Sequence, residues 1–219
     1  MNLSISENLN TLKSSLPSEV TLVAVSKTKP AADLLEAYTE GQRVFGENKI
    51  QEMESKWQEL PKDIEWHMIG HVQTNKVKYM AHFVSLIHAV DSLKLLKEIN
   101  KQALKHNRTI HCLLQLKIAE EDSKYGMSEE DLHGLLNSEE VQNFQNTKIV
   151  GLMGMASFTS NAEQISAEFQ KLKAQYNELK EAHQFEVLSM GMSGDFQIAI
   201  ENGSTMIRVG SKIFGKRNY

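Results

Sequence analysis

Lys27 sits in a strand-like apolar run, Val23-Ala24-Val25-Ser26-Lys27-Thr28-Lys29-Pro30. A free lysine ammonium titrates near pH ~10.4, so little neutral amine exists at pH ~7. Desolvation and nearby positive charge lower that value and create a nucleophile able to form a Schiff base with a carbonyl. Far along the chain lie two turns rich in glycine and serine, Ser189-Met190-Gly191-Met192-Ser193-Gly194 and Arg208-Val209-Gly210-Ser211. Each precedes a helix start and has the makeup of a phosphate cradle. Glycine admits close backbone N–H groups, serine adds hydroxyl donors, and a helix N-terminus adds partial positive charge. Arg208 keeps its charge and suits a phosphate, a carboxylate or a ring nitrogen. Plainer readings stand beside these. Lys27 also reads as a solvated rim lysine, the glycines as tight turns, and Arg208 as half of a structural ion pair. Glu47 and Asn48 suit either a hydrogen bond to a ligand oxygen or a helix cap, and capping is the plainer role for Asn48.

The remaining reactive side chains point elsewhere. His67 and His71 are four apart but straddle a strand end and Gly70 instead of sharing a helix face, and no HExxH pattern is present, so no metal site is expected. His111 and Cys112 fall in an apolar strand and are expected in the core. Met153, Met155, Met190, Met192 and Met206 read as core filling. Lys124, in Glu121-Asp122-Ser123-Lys124-Tyr125-Gly126, is expected on the fifth βα loop, as a pocket or a surface lysine.

An alternation of elements must position these groups. Short apolar runs occur at Leu22–Val25, Val44–Phe45, Trp66–Ile69, Val84–Ile87, Ile110–Leu116, Ile149–Met155, Val187–Met190 and Met206–Val209. They lack strict polar alternation, which suits parallel strands buried on both faces. A helix-forming segment follows each of the first seven. Pro30 is expected at the first helical position of one and Gly41 at its close. Ser160-Asn161-Ala162-Glu163 has capping-box spacing before a long amphipathic stretch to Ala182. Asn202-Gly203 stops a helix starting near Gly194. A further helix, ending near Ser15, precedes the first strand.

Eight βα units predict a single (β/α)8 TIM barrel spanning 1–219, with an extra N-terminal helix. The second strand is very short; without it the competitor is an open doubly wound sheet. Closure would set the first and eighth strands side by side, so Lys27 and Arg208 would face one pocket at the carboxyl ends of the strands.

Composition narrows the classes of function. The chain has 219 residues, 41% hydrophobic and 24% charged, enough for a real core. A formal net charge of −4 argues against nucleic acid as partner. No apolar run reaches the roughly 18 residues of a membrane span, and the N-terminus lacks a signal-peptide pattern. The single cysteine excludes an internal disulfide. A cytoplasmic monomer acting on a small molecule is expected.

Together these segments resemble the pyridoxal phosphate homeostasis proteins, one-domain relatives of the N-terminal barrel of alanine racemase. The likeness rests on Val23–Pro30, Phe45–Asn48, Trp66–Lys76, Ser123–Gly126, Gly151–Met155, Leu188–Ser193, Gly203–Ser211 and Ile213–Gly215, in order over nearly the whole chain. Met68 stands where the family often has phenylalanine, and His71-Val72 where proline-leucine or a similar pair is common. The resemblance implies pyridoxal 5′-phosphate (PLP) held as an internal aldimine on Lys27. Ser189, Gly191, Gly210 and Ser211 fall in the phosphate-holding segments. Arg208 matches the arginine facing the pyridine nitrogen, Asn48 lies in a motif lining the ring, and Lys124 matches an auxiliary lysine. In alanine racemase a second domain and a partner subunit complete the substrate face with a tyrosine. This chain ends soon after its eighth strand and is expected to lack such a domain. A permanent cation beside the ring nitrogen also weakens the electron sink. The implied role is non-catalytic: to buffer, carry or deliver the cofactor, with apo-enzymes as recipients. The alternatives are a weak PLP-dependent racemase, with Lys27 as one base and a histidine or Lys124 as the other, and an aldolase-like barrel using a Schiff-base lysine.

Overall fold

A computed structural model describes residues 4–120 and 125–215. Eight parallel strands close on themselves in chain order: β1 (Thr21–Val25), β2 (Val44–Glu47), β3 (Glu65–Met68), β4 (Leu86–Val90), β5 (Ile110–Leu116), β6 (Thr147–Gly154), β7 (Val187–Met192) and β8 (Met206–Val209). The short β2 is a true member, pairing with β1 at Ala24↔Phe45 and with β3 along Val44–Glu47, so the open-sheet alternative falls. Closure is made by β8 against β1, with Val23 opposite Arg208 and Ala24 opposite Val209. Around the barrel run α1 (Ile5–Ser14), α2 (Ala31–Thr39), α3 (Ile50–Glu59), α4 (Leu93–Lys105), α5 (Glu129–Leu136), α6 (Glu139–Gln142), α7 (Ala162–His183), α8 (Phe196–Glu201) and α9 (Ser211–Phe214).

The pleat sorts the apolar residues into two cores. Leu22 and Ala24 belong to the large core that β1 shares with the surrounding helices. Val23, between them, belongs to an inner cluster with Leu86, Leu113, Val150, Met153 and Met206. Side chains of alternate residues thus fill the barrel, as a small closed sheet requires. Among the described residues no helix is long and apolar enough to cross a membrane.

Several local expectations shift. The third strand is followed by a 3-10 segment, Thr74–Tyr79, instead of an α-helix. Its exit turn, in which Val84 donates to the Met80 carbonyl, delays the ladder until Ser85 N–H meets the Trp66 carbonyl, so β4 starts later than Val84. The long helix α7 is capped by Asn161, not Ser160, because the Asn161 carboxamide oxygen accepts from both Glu163 and Gln164 N–H groups. Pro30 is the N-cap of α2 with extended backbone, so the helix starts at Ala31, one residue later than expected. Gly41, at φ 81°, closes that helix as expected. Cys112 is buried but His111 is exposed. His111 is in register with the inner-core residue Leu86 and with Lys148, at the amino-terminal mouth of the barrel, where inward positions meet water.

Candidate functional site

A cavity of about 440 Å³ opens at the carboxyl ends of the strands. That size suits a small-molecule cofactor. Lys27, just beyond β1, and Lys29 line one side of it, with Asn48 from the loop after β2. Arg208, Gly210 and Ser211 line the side built by β8, and Ser193, Gly194 and Asp195 come from the turn after β7. Five of the seven residues singled out from the sequence therefore surround one space: Lys27, Asn48, Arg208, Gly210 and Ser211. Ser189 and Gly191 do not line it. Lys124 lies outside the described residues.

The reason is a register shift in β7 between Ser189 and Met192. Ser189 faces the barrel interior, fully buried, where its hydroxyl accepts from Arg208. Gly191 is turned the other way, at φ 95°, and a Cβ there would stand 2.6 Å from the Cβ of Ala199 on α8. Only glycine allows that approach. The shift puts Met192 opposite Arg208 and carries Ser193 and Gly194 to the cavity wall. Ser193 then binds the neighbouring turn, its Oγ accepting the Gly210 N–H at 3.2 Å. Gly210 lies so close to β1 that a Cβ would sit 2.9 Å from the Val25 carbonyl oxygen.

The loop that carries Lys27 is fixed by a network the sequence reading missed. Glu47, at the end of β2, is fully buried; its Oε1 accepts from Ser26 Oγ at 2.6 Å and from Lys56 Nζ at 2.7 Å. Lys56, on α3, also donates to the Ser26 carbonyl and to Glu52 Oε1, both at 2.8 Å. Glu52 Oε1 in turn accepts the Thr28 N–H at 2.6 Å and holds Thr28 at φ 65°, an uncommon conformation for a β-branched residue. Both neighbours of Lys27 are thereby held. Burial pushes the Glu47 carboxyl above its ordinary range, and the Lys56 ammonium works against that rise. The Glu52–Lys56 spacing of four was visible as a helix-face pair. Lys56 to Glu47 follows no such period.

Arg208 is 4% exposed and reaches the cavity floor. Its guanidinium donates to Ser189 Oγ at 2.6 Å and to the Gly154 carbonyl at 3.1 Å. Burial lowers it to about 10, so it remains a cation at neutral pH, and Asp195 favours that charge. The described lining thus carries three cationic side chains, Lys27, Lys29 and Arg208, against one carboxylate, Asp195. On the opposite wall Ser157 is tied down by Glu168 of α7, which accepts both its N–H and its hydroxyl at 2.6 Å and also the Glu120 N–H at 3.2 Å.

A closed parallel barrel of eight strands, with Lys27 just beyond the first and Arg208 on the adjoining last, has the fold of the alanine racemase N-terminal domain. A family model of that description matches residues 3–218. Within that class the chain belongs to the pyridoxal phosphate homeostasis protein family. It is 40% identical over 201 residues to the pyridoxal phosphate homeostasis protein of Aquifex aeolicus, covering 90% of this chain and 87% of the relative. Among solved structures it is similar to PipY of Synechococcus elongatus PCC7942 with PLP bound, at 37% identity, a TM-score of 0.88, and coverage of 96% and 100% of the two chains. An alanine racemase of Clostridium difficile shares the fold at 14% identity, with a TM-score of 0.80 and coverage of 99% of this chain and 60% of the other.

Proposed function

We propose that this chain binds PLP in the barrel-mouth cavity, anchored on Lys27, and serves PLP homeostasis by holding, carrying and releasing the cofactor. One observation carries the reading: closure of β1 on β8 sets Lys27, Arg208, Gly210 and Ser211 around the same cavity. The donor set fits the group. The lining is cationic, as a phosphate ester requires, and its tight Ser193–Gly210 contact brings two small-residue turns together.

When bound, PLP supplies an aldehyde and a conjugated ring able to accept electrons. This chain's residues do the holding. Lys27 offers the amine that retains the aldehyde carbon. Ser193, Gly194, Gly210 and Ser211, which line the cavity, would hold the phosphate, and Asn48 would border the ring. Arg208 would stand near the ring and, as a permanent cation, would oppose protonation of the ring nitrogen, which suits storage better than amino-acid chemistry. The homeostasis name of the relatives supports the non-catalytic role.

The test is an absorption spectrum of the purified protein mixed with PLP, beside Lys27→Ala, before and after borohydride. Expected is a visible chromophore and a reductively trapped adduct on Lys27, both lost in the variant. An equal spectrum in the variant overturns the anchor. Transfer to an apo-enzyme no faster than from free PLP overturns delivery. Steady α-proton exchange of amino acids in heavy water at enzymatic rates overturns the non-catalytic role.

A further inference from the structure

Four polar side chains meet inside the barrel: His67 of β3, His88 of β4, Ser189 of β7 and Arg208 of β8. His67 Nδ1 lies 3.0 Å from His88 Nε2, and His88 Nδ1 lies 3.1 Å from Ser189 Oγ. Arg208 completes the line with its 2.6 Å bond to the same oxygen. All four residues are buried, with His88 and Ser189 at 0% exposure. Strands β4 and β7 are not neighbours in the sheet, so the His88–Ser189 contact spans the interior.

The chemistry of the groups gives this line a direction. Guanidinium only donates, so Ser189 Oγ accepts from Arg208. The serine has one proton, and among the described residues His88 Nδ1 is the other polar partner of its oxygen. If His88 donated there instead, a buried hydroxyl proton would be stranded, at the cost of an unmade hydrogen bond. An imidazole N–H dipole would also point its positive end at the cation. The serine therefore donates to a bare His88 Nδ1. The His88 proton then sits on Nε2 and is donated to His67 Nδ1, which leaves the His67 proton on its own Nε2. Burial keeps both rings neutral: His67 is lowered to about 3, and His88 well below its ordinary value, with Arg208 adding to the effect.

We propose that Ser189, His88 and His67 are positioning residues for Arg208, a one-way neutral hydrogen-bond chain that holds the guanidinium at the cavity floor and locks both imidazoles as Nε2–H tautomers. A carboxylate in their place would fix the arginine equally well but would cancel its charge. A neutral chain fixes the geometry and leaves the charge to the ligand. Asp195 favours the charge itself; the hydroxyl and the carbonyl supply the hydrogen bonds that fix its direction. The consequence for PLP rests on the function proposed above; the tautomers do not.

The experiment uses the full chain with ¹⁵N-labelled histidine, without PLP and at neutral pH, read by long-range ¹H–¹⁵N correlation. Expected are two buried rings protonated on Nε2 alone, with His88 Nδ1 showing the shift of a hydrogen-bonded acceptor. In Ser189→Ala that nitrogen shifts to the value of an unbonded acceptor, while the signals of exposed histidines stay in place. A proton on Nδ1 of either ring, or an unchanged His88 in the variant, overturns the proposal. If Ser189→Ala does not fold, the wild-type tautomers decide alone. A second arm titrates PLP: Ser189→Ala is expected to weaken binding about tenfold, the scale of one hydrogen bond to a charged group. Equal affinity overturns the positioning role. A wild-type protein that binds no PLP overturns the function above and leaves the tautomer result standing.

Discussion

Replacing Lys56 by methionine tests whether the lysine-bearing loop is held as the structure indicates. Methionine keeps much of the aliphatic stem but removes an ammonium bonded to Glu47 at 2.7 Å and to Glu52 and the Ser26 carbonyl at 2.8 Å. Glu47 has no side-chain exposure, and its Oε2 has no hydrogen-bond partner among the described residues. The variant thus leaves a buried carboxylate with only the Ser26 hydroxyl. Breaking one side of such a pair costs about 3–5 kcal/mol. For a domain of this size about 1 kcal/mol moves the midpoint by 2–4 °C, so a fall of roughly 10 °C is expected. Equilibrium urea unfolding gives the free energy directly. The companion double variant, Glu47→Gln with Lys56→Met, removes the stranded charge and should recover about 1–2 kcal/mol of the loss. Because the same ammonium steadies Ser26 and, through Glu52, Thr28, the single variant should also bind PLP more weakly. A Lys56→Met protein within about 1 kcal/mol of wild type, or a double variant less stable than the single one, would refute the reasoning.

Three further outcomes follow from the same contacts. His67 is lowered to about 3 when folded, against roughly 6.5 unfolded, so the unfolded state takes up the proton first and stability falls as pH drops below about 6.5. By pH ~4.5 this ring alone contributes a loss of about 2–3 kcal/mol, and His67→Gln should flatten the stability profile measured across that window. For Glu168, burial raises the carboxyl but the bonds from Ser157, Glu120 and Gln164 outweigh it, so its stabilisation is present above the ordinary carboxylate range and lost as pH falls through the lowered value. Glu168→Gln should cost about 1–3 kcal/mol at neutral pH and less in acid, with faster hydrogen exchange at the Ser157 and Glu120 amides; equal exchange would count against the clamp. Gly210→Ala forces a Cβ to 2.9 Å from backbone, so calorimetry should show about 1–3 kcal/mol lost, together with weaker PLP binding.

Much of the barrel was legible because buried parallel strands leave short apolar runs whatever their partners. Even β2, four residues long, announced itself through Val44-Phe45 and the turn residues after it. The boundaries that moved were set by local hydrogen bonds with no apolar signature, such as the Val84–Met80 turn ahead of β4 and the carboxamide of Asn161. Lys27 and Arg208 stood out because a charge in an apolar run requires a partner or a purpose. Ser189 and Gly191 were read from the right segment, but strand parity alone cannot show a register shift, and that shift decides which of Gly191 and Met192 meets the cavity. His88 gave no signal at all. Its partners come from β3 and β7, and only closure brings them within reach.

The three holding networks bear on how the site binds. Lys27 is framed by the Glu47–Lys56–Glu52 set, Arg208 by the interior chain, and the two small-residue turns by Ser193 on Gly210. None of these contacts passes through the ligand, so the cavity has its shape before anything enters. Little ordering remains to be done on binding, which favours capture at low cofactor concentration. On the proposed reading, release would be governed by the covalent contact with the Lys27 amine and by competition from other amines for the same aldehyde. A carrier of this kind should load quickly and unload faster as amine concentration rises. Stopped-flow absorbance with increasing glycine measures that directly, and an unloading rate independent of amine would show that something other than the lysine sets the residence time.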